Sequence, residues 1–219
     1  MLEINDEEIK MRQHVNPLSK FFNKIEPIPY LEEIFNDHTK SLHLDIGCGS
    51  GDFLINLAKY NKNWNYIGLE IREKLVNKSK LKLKDETIDN LFFAFGNAEY
   101  LIEDCIGKFP ADIVSSVSFN FPDPWFKKKH HKRRIIRPQL IYKISQLMRF
   151  GGFISIKSDV EELFRYMDMT IINSKSFITY NYQDGEIFDS YNPMNLETNR
   201  ENYVRRKKLK VFEKLYKKI

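Results

Sequence analysis

From Ser41 onward the chain alternates short apolar runs with amphipathic segments, and this alternation constrains its fold more than any other feature. Runs such as LHLDIG (42–47), NYIGLE (65–70), LFFAFGNA (91–98), DIVSSVSFNF (112–121) and FISIKSD (153–159) are too short for helices and too uniformly apolar for half-exposed strands. They read as strands buried on both faces. Between them stand segments with helical spacing, as in 52–59 with Phe53, Leu54, Leu57 and Ala58 on one side. Strands alternating with helices predict an α/β domain around a doubly wound, mostly parallel sheet.

Further elements follow from local signals. Helices are predicted after 65–70 to about Lys84, from 98 to about Gly107, over 138–148 with Pro138 in the first turn and Gly151 and Gly152 beyond the end, and over 160–172. SFITYNY (176–182) reads as a sixth strand. The stretch 184–201 reads as a polar loop, and 204–219 fits either a charged helix or a last strand within KLKVFEKLY. Residues 1–40 read as an ordered N-terminal extension, with Phe21, Phe22, Ile25, Leu31 and Ile34 as anchors and a short helix at 30–35. Residues 41–219 form the main domain.

Composition narrows the class. At 219 residues the chain suits one domain of ordinary size. No apolar run approaches the roughly 18 residues of a membrane helix, and the charged start lacks a secretory h-region, so a cytoplasmic protein is expected. Cys48 and Cys105 lie in no ligand pattern, and His130 and His131 are adjacent rather than at ligand spacing, so no metal site is expected. The net charge of +5 is modest, but the basic residues cluster, which makes nucleic acid a candidate partner.

Two stretches carry chemistry. In the first, a strand runs into Gly47-x-Gly49-x-Gly51 and a helix, an arrangement that brings a ligand against backbone. The spacing is not G-x-G-x-x-G, and Asp45 directly precedes the loop. A carboxylate there disfavours pyrophosphate and favours a cationic ligand end, as in S-adenosylmethionine with its sulfonium and ammonium. Glu70 ends the second strand, where an acid accepts two ribose hydroxyls, and Asn97 ends the third, where an amide can meet adenine. Each taken singly is as readily a turn or helix cap. Together they resemble the class I S-adenosylmethionine-dependent methyltransferase pattern, with its Rossmann-like fold.

The second stretch, FNFPDPWFKKKHHKRRIIR (119–137), puts a carboxylate between two prolines at the end of the fourth strand, then aromatics and a basic run. Its NFPDPWFKKKHHKRRII core resembles the tRNA (guanine-N7-)-methyltransferase family, from about Arg12 to the C-terminus and most strongly between Asp45 and Asp159. The resemblance implies methyl transfer from S-adenosylmethionine to N7 of a variable-loop guanine in tRNA. It implies a cofactor set of Asp45, Gly47, Gly49, Glu70, Asn97, Ala98 and Asp123, with Asp123 also catalytic. Lys127, Asp159 and the T-x-x-E pair Thr198 and Glu201 would bind substrate. Lys128, Lys132, Arg133 and Arg134 would grip RNA backbone, and Trp125 or Phe126 would stack on the guanine. The chain departs from the family in Asp45 for Glu, Asn97 for Asp, and Asn199-Arg200 for Lys-Phe. Three other readings compete: an exocyclic-amine methyltransferase with an N-P-P-aromatic loop, a nicotinamide dehydrogenase, and an RNA-binding scaffold on a methyltransferase fold.

Overall fold

Uniform burial along the central strands sets the architecture. The computed structural model describes residues 15–23, 25–84, 88–181 and 196–219. The strands β1 (Leu42–Ile46) and β2 (Asn65–Glu70) are buried at every position, as parallel strands covered on both faces must be. With β3 (Leu91–Phe95), β4 (Val114–Asn120), β5 (Met148–Ser158), β6 (Phe177–Tyr180) and β7 (Phe212–Lys218) they form one seven-stranded sheet in the order β3-β2-β1-β4-β5-β7-β6. The first five strands pair in parallel, while β7 runs antiparallel to both β5 and β6.

Strand order reverses between β1 and β4, which opens a crevice beyond their carboxyl ends, where open α/β sheets hold ligands. Alternation within β1 divides its side chains between the two faces. Leu42, Leu44 and Ile46 join a core with Val117, Phe119, Ile154 and Ile156, beside Leu101 of α4 (Ala98–Cys105), Ile141 of α5 (Pro138–Leu147) and Met167 of α6 (Glu161–Asn173). A second core lies around Phe53, Leu54 and Leu57 of α2 (Asp52–Tyr60), Val76 of α3 (Glu73–Lys84) and Phe93. The N-terminal extension contributes to the first core: Ile28 and Leu31 of the α1 region (Leu31–Ile34) and Phe35 are all buried there.

Three sequence expectations change. The strand expected at 153–159 begins at Met148, because the ladder with β4 steps from Val114↔Met148 to Ser116↔Phe153 and Gly151 at φ 74 absorbs the excess residues. The glycines expected past a helix end therefore lie inside a strand. The stretch 204–219 is both alternatives in turn, the end of a helix α7 (Asn199–Arg206) and then β7. Of the polar loop expected at 184–201, residues 184–195 lie outside the described residues, as does the last residue of the strand expected at 176–182, and the loop's last part is the start of α7.

Candidate active site

The crevice is built first by β1. Asp45 pairs in register with Ser118 of β4, and its Oδ1 accepts from Ser118 Oγ at 2.6 Å and Asn120 Nδ2 at 3.1 Å. Because the Ser118 proton goes to Asp45, the Ser118 oxygen accepts from Nε2–H of His43 at 3.0 Å, which assigns the His43 tautomer. Burial holds the His43 imidazole down to about 3, so it is neutral at physiological pH. Burial also pushes the Asp45 carboxyl up to about 6, against the pull of its two hydrogen bonds and with help from the nearby Glu70 charge. Asp45 is thus a buried acid that gains from meeting a cation.

Next comes the glycine loop, and here the amides decide the ligand class. The N–H of Gly47 and that of Cys48 donate to Leu69 O, that of Gly51 to Cys48 O, and that of Gly49 to Glu70 Oε2 at 2.9 Å. These donors are spent inside the protein, so the loop does not cradle phosphate as a dinucleotide fingerprint does. Gly51, at φ 75 as the N-cap of α2, is required on packing grounds as well: a Cβ there would stand 2.5 Å from the Phe93 ring. At Gly49, φ 60, a Cβ would meet nothing within 4 Å. The space it would enter is the crevice.

Glu70 is more heavily engaged than its position in sequence suggests. Its Oε1 accepts from Arg72 N at 3.0 Å and Arg72 Nε at 2.9 Å, and its Oε2 from Gly49 N and from Arg72 Nη2 at 3.2 Å. These contacts fill the roughly four acceptor positions of a carboxylate. Burial opposes the charge on Arg72, yet Glu70 and, farther off, Asp123 hold its guanidinium above the ordinary value. Arg72 was not identified from the sequence; the signal was its place two residues past the strand-end acid.

Asn97 stands where the third strand passes into α4. It is the N-cap of α4, with Oδ1 accepting from Glu99 N at 3.1 Å and Nδ2 donating to Pro17 O at 3.1 Å. Its amide borders the crevice while capping α4, with one hydrogen and one lone pair still uncommitted by these two bonds. Ala98 follows it at the crevice wall.

The loop after β4 is held in a sparsely populated backbone shape. Phe121 and Trp125 have φ of 49 and 48, conformations that cost a non-glycine residue about 1–3 kcal/mol each. Phe121 N is tied to Lys157 O at 2.8 Å, and Arg134 Nε donates to Pro124 O at 3.0 Å. Between these ties Asp123 and Trp125 line the crevice, with the Arg133 guanidinium 5.1 Å from the Trp125 ring centre. Phe126 faces outward and is 67% exposed, which leaves Trp125 as the aromatic on the pocket side.

Beyond it, the basic run folds as a 3-10 helix, Lys128–Arg133, preceded by Lys127. Lys127, Lys128 and Lys132 are exposed and lie outside the crevice lining. Arg134, just past that helix, is placed differently from these lysines. It is 3% exposed, with Nη2 on Glu162 Oε1 at 2.8 Å and its guanidinium 4.8 Å from the Tyr166 ring centre, so it clamps the loop.

The last wall is the start of α7. Thr198 caps it, accepting from Glu201 N at 3.0 Å, and borders the crevice together with Asn199 and Arg200. Glu201 is buried on Lys157 Nζ at 2.7 Å and on Arg205 Nη2 at 2.6 Å, and Asp159 is ion-paired with Arg200. Neither carboxylate is part of the crevice lining, and through these pairs both fasten α7 to the end of β5. Asn199 Nδ2 reaches across to Asp52 Oδ2 at 3.2 Å.

The cavity so formed has a volume of about 380 Å³, within the roughly 300–1,000 Å³ of small-molecule sites. It gathers Asp45, Gly47, Gly49, Glu70, Asn97, Ala98, Asp123 and Thr198, together with Arg72, Arg133, Arg134 and Arg200. A glycine loop whose amides are internally satisfied, buried acids, and a switch-point crevice define a class I methyltransferase of Rossmann-like fold. Solved structures agree on the fold. The aminoglycoside resistance methyltransferase NpmB1 superposes with a TM-score of 0.58 over 86% of this chain and 92% of that one, at 16% identity. An rRNA methylase from Streptococcus thermophilus superposes at 0.51 over 86% and 92%, at 18% identity.

Residues 39–214 match the family described as "Putative methyltransferase". A tRNA (guanine-N(7)-)-methyltransferase of Prochlorococcus marinus subsp. pastoris is 53% identical over 95% of this chain and 100% of the relative. One of Synechococcus elongatus is 36% identical over 95% and 96%. The chain belongs to the tRNA (guanine-N(7)-)-methyltransferase family.

Proposed function

We propose that the protein transfers a methyl group from S-adenosylmethionine to N7 of a guanine in tRNA, and that the crevice at the ends of β1 and β4 is where transfer occurs. The observation that carries this is the junction in one cavity of a carboxylate-lined, phosphate-averse glycine loop with the Pro122-Asp123-Pro124-Trp125 loop and its basic run. No helix among the described residues is long and apolar enough to cross a membrane, which fits a tRNA enzyme of the cytoplasm.

The residues fit the cofactor. Its sulfonium supplies an electrophilic methyl group. Asp45 presents its remaining lone pairs to the cavity, where a cationic end stabilises the buried carboxylate. Glu70 accepts ribose hydroxyls as the Arg72 fork yields acceptor positions to them. Gly47 and Gly49 keep side chains out of the ligand's path.

Guanine N7 has an in-plane lone pair that is unprotonated at neutral pH, so no general base is required and orientation carries most of the rate. Trp125 offers the stacking face. Asp123 stabilises the positive charge that develops on the base, and its carboxylate accepts from the guanine N1 and N2 hydrogens, which adenine cannot offer in that pattern. N7 is hidden in the deep major groove of an RNA helix, so the substrate guanine is splayed out. Lys127, Lys128 and Lys132, exposed beside the loop, hold the flanking backbone.

The test is incubation with labelled S-adenosylmethionine and unmodified tRNA, followed by nucleoside identification. N7-methylguanosine is expected; methylated adenine, or RNA binding without transfer, overturns the proposal. Asp123→Asn is expected to lower turnover by about 10²–10³-fold, and wild-type turnover in that variant removes Asp123 from the chemistry.

A further inference from the structure

A second basic cluster lies at the same end of the sheet as the crevice, and neither the mechanism nor the fold uses it. Between α7 and β7 the sequence reads Arg206-Lys207-Lys208-Leu209-Lys210, and all five residues are exposed. Lys208 turns the chain with φ 56. Lys207 lies 6.0 Å from the Tyr203 ring centre and Lys210 4.7 Å from that of Phe212, so aromatic stems direct these ammonium groups while leaving them in water.

Topology brings this turn to the active-site rim. β7 is antiparallel, so it begins where β5 ends, and the register runs Asn120↔Lys157 and Lys157↔Glu213. The end of β4, from which the active-site loop departs, and the start of β7 are therefore two strand spacings apart, about 10 Å. The intervening carboxylates are largely offset by cations of the same region: Asp159 by Arg200, Glu161 by Arg165, Glu162 by Arg134, Glu197 by Arg205, and Glu201 by Lys157 and Arg205, while Glu213 lies 3.9 Å from Lys157. Among the described residues, Arg206, Lys207, Lys208 and Lys210 have no carboxylate within ion-pair distance. Glu161 feels the Lys210 charge and Glu213 offsets part of the rest, but the four cations of the turn still leave a positive excess on the rim that a polyanionic substrate must meet.

We infer that the turn at residues 206–210 is a second phosphate-binding surface, which holds the backbone of the tRNA on the side of the crevice opposite the glycine loop while Lys127–Lys132 hold it beside Trp125. The inference rests on the tRNA reading above. Two basic patches flanking one pocket orient an RNA as well as attract it, whereas a single patch leaves it free to pivot about the splayed base.

The test is direct tRNA binding as a function of salt, which needs no methyl transfer. The variant Lys207→Gln/Lys208→Gln/Lys210→Gln is compared with Lys40→Gln/Lys62→Gln/Lys175→Gln. The second variant loses the same charge at the opposite end of the sheet, before β1, β2 and β6. Each lysine on phosphate contributes about one unit to the slope of log affinity against log salt. The first variant is expected to flatten the slope by about two to three units and weaken low-salt binding by about tenfold or more; the second is expected to match wild type. Replacing the same three lysines of the turn with arginine is expected to retain the slope, which excludes a packing effect. An unchanged slope, or equal changes in both glutamine variants, overturns the inference. Methylation measured in parallel tests the underlying reading separately: flattened binding without N7-methylguanosine from the wild type refutes that reading and leaves the surface assignment standing.

Discussion

Asp45→Asn is expected to stabilise the cofactor-free protein while disabling it. The Asp45 carboxyl is fully buried and rises from an ordinary value of 3.8 to about 6, chiefly because burial penalises its charge. The sign follows from proton linkage. Between the two values the folded state binds more protons than the unfolded state, so this group lowers stability as pH rises. The shift of about two units corresponds to about 3 kcal/mol at pH 8, falls to roughly half of that at pH 5, and to under about 1 kcal/mol at pH 4. An amide removes the ionisation, and its oxygen still accepts from Ser118 and Asn120, whose donors sit on Oδ1 alone.

The assay is denaturant unfolding of wild type and variant without cofactor, at pH 8 and pH 5, with the difference between the two proteins as the quantity read. The variant is expected to be more stable at pH 8 by about 3 kcal/mol, with the gap halving at pH 5. A gap that is absent at pH 8, or that does not shrink at pH 5, refutes the argument. Cofactor binding supplies an independent reading. If ionised Asp45 meets a cationic ligand end, wild-type affinity for S-adenosylmethionine falls about tenfold per pH unit below about 6. Asp45→Asn is weak at every pH.

Lys157→Met removes the buried partner of Glu201 and leaves that carboxylate on the half-exposed Arg205 alone, so it is expected to cost up to about 3 kcal/mol of stability, whereas Lys157→Met/Glu201→Leu regains most of it; unfolding of the two variants decides this, and equal losses refute the pairing. Gly51→Ala drives a Cβ against the Phe93 ring and is expected to cost about 1–3 kcal/mol beyond the backbone strain of its left-handed φ. Gly49→Ala meets no protein atom and is expected to cost only the strain, about 1–2 kcal/mol, yet to impair cofactor binding because its methyl group enters the cavity. Thermal unfolding and cofactor titration of both variants separate the two effects.

The central sheet was legible because burial on both faces leaves no polar alternation to confuse with surface, as in β1, β2 and the second half of β5. Asp45, Glu70 and the glycines were legible for the same reason, since a polar residue ending an apolar run marks the ligand end of a strand. Partners distant in sequence were not. Arg134 reaches Glu162, Lys157 reaches Glu201, and Asn97 reaches Pro17 across 28, 44 and 80 residues, which no local pattern reports. The start of α7 did carry a local signal. Thr198-x-x-Glu201 is the capping-box spacing, and Thr198 does cap the helix, while the Glu201 carboxylate goes to Lys157 and Arg205.

Arginine and lysine divide the electrostatic labour around the crevice. Arg72, Arg134, Arg137, Arg200 and Arg205 are each engaged by a carboxylate within the protein, while Lys127, Lys128 and Lys132 stand exposed beside the loop. A planar guanidinium fixes two partners at once, whereas a hydrated ammonium follows a moving phosphate. Arg134→Lys therefore tests whether charge or geometry matters at that position. Lysine keeps the charge, but one ammonium cannot bond Pro124 O and Glu162 together while stacking on Tyr166. With that clamp loosened, the left-handed conformations of Phe121 and Trp125 lose a restraint, and Asp123 and Trp125 lose their fixed placement. The expected outcome is a drop in turnover of about tenfold or more with tRNA affinity and its salt slope unchanged. If Arg134 instead contacts phosphate, the substitution preserves turnover, and Arg134→Gln flattens the slope by about one unit.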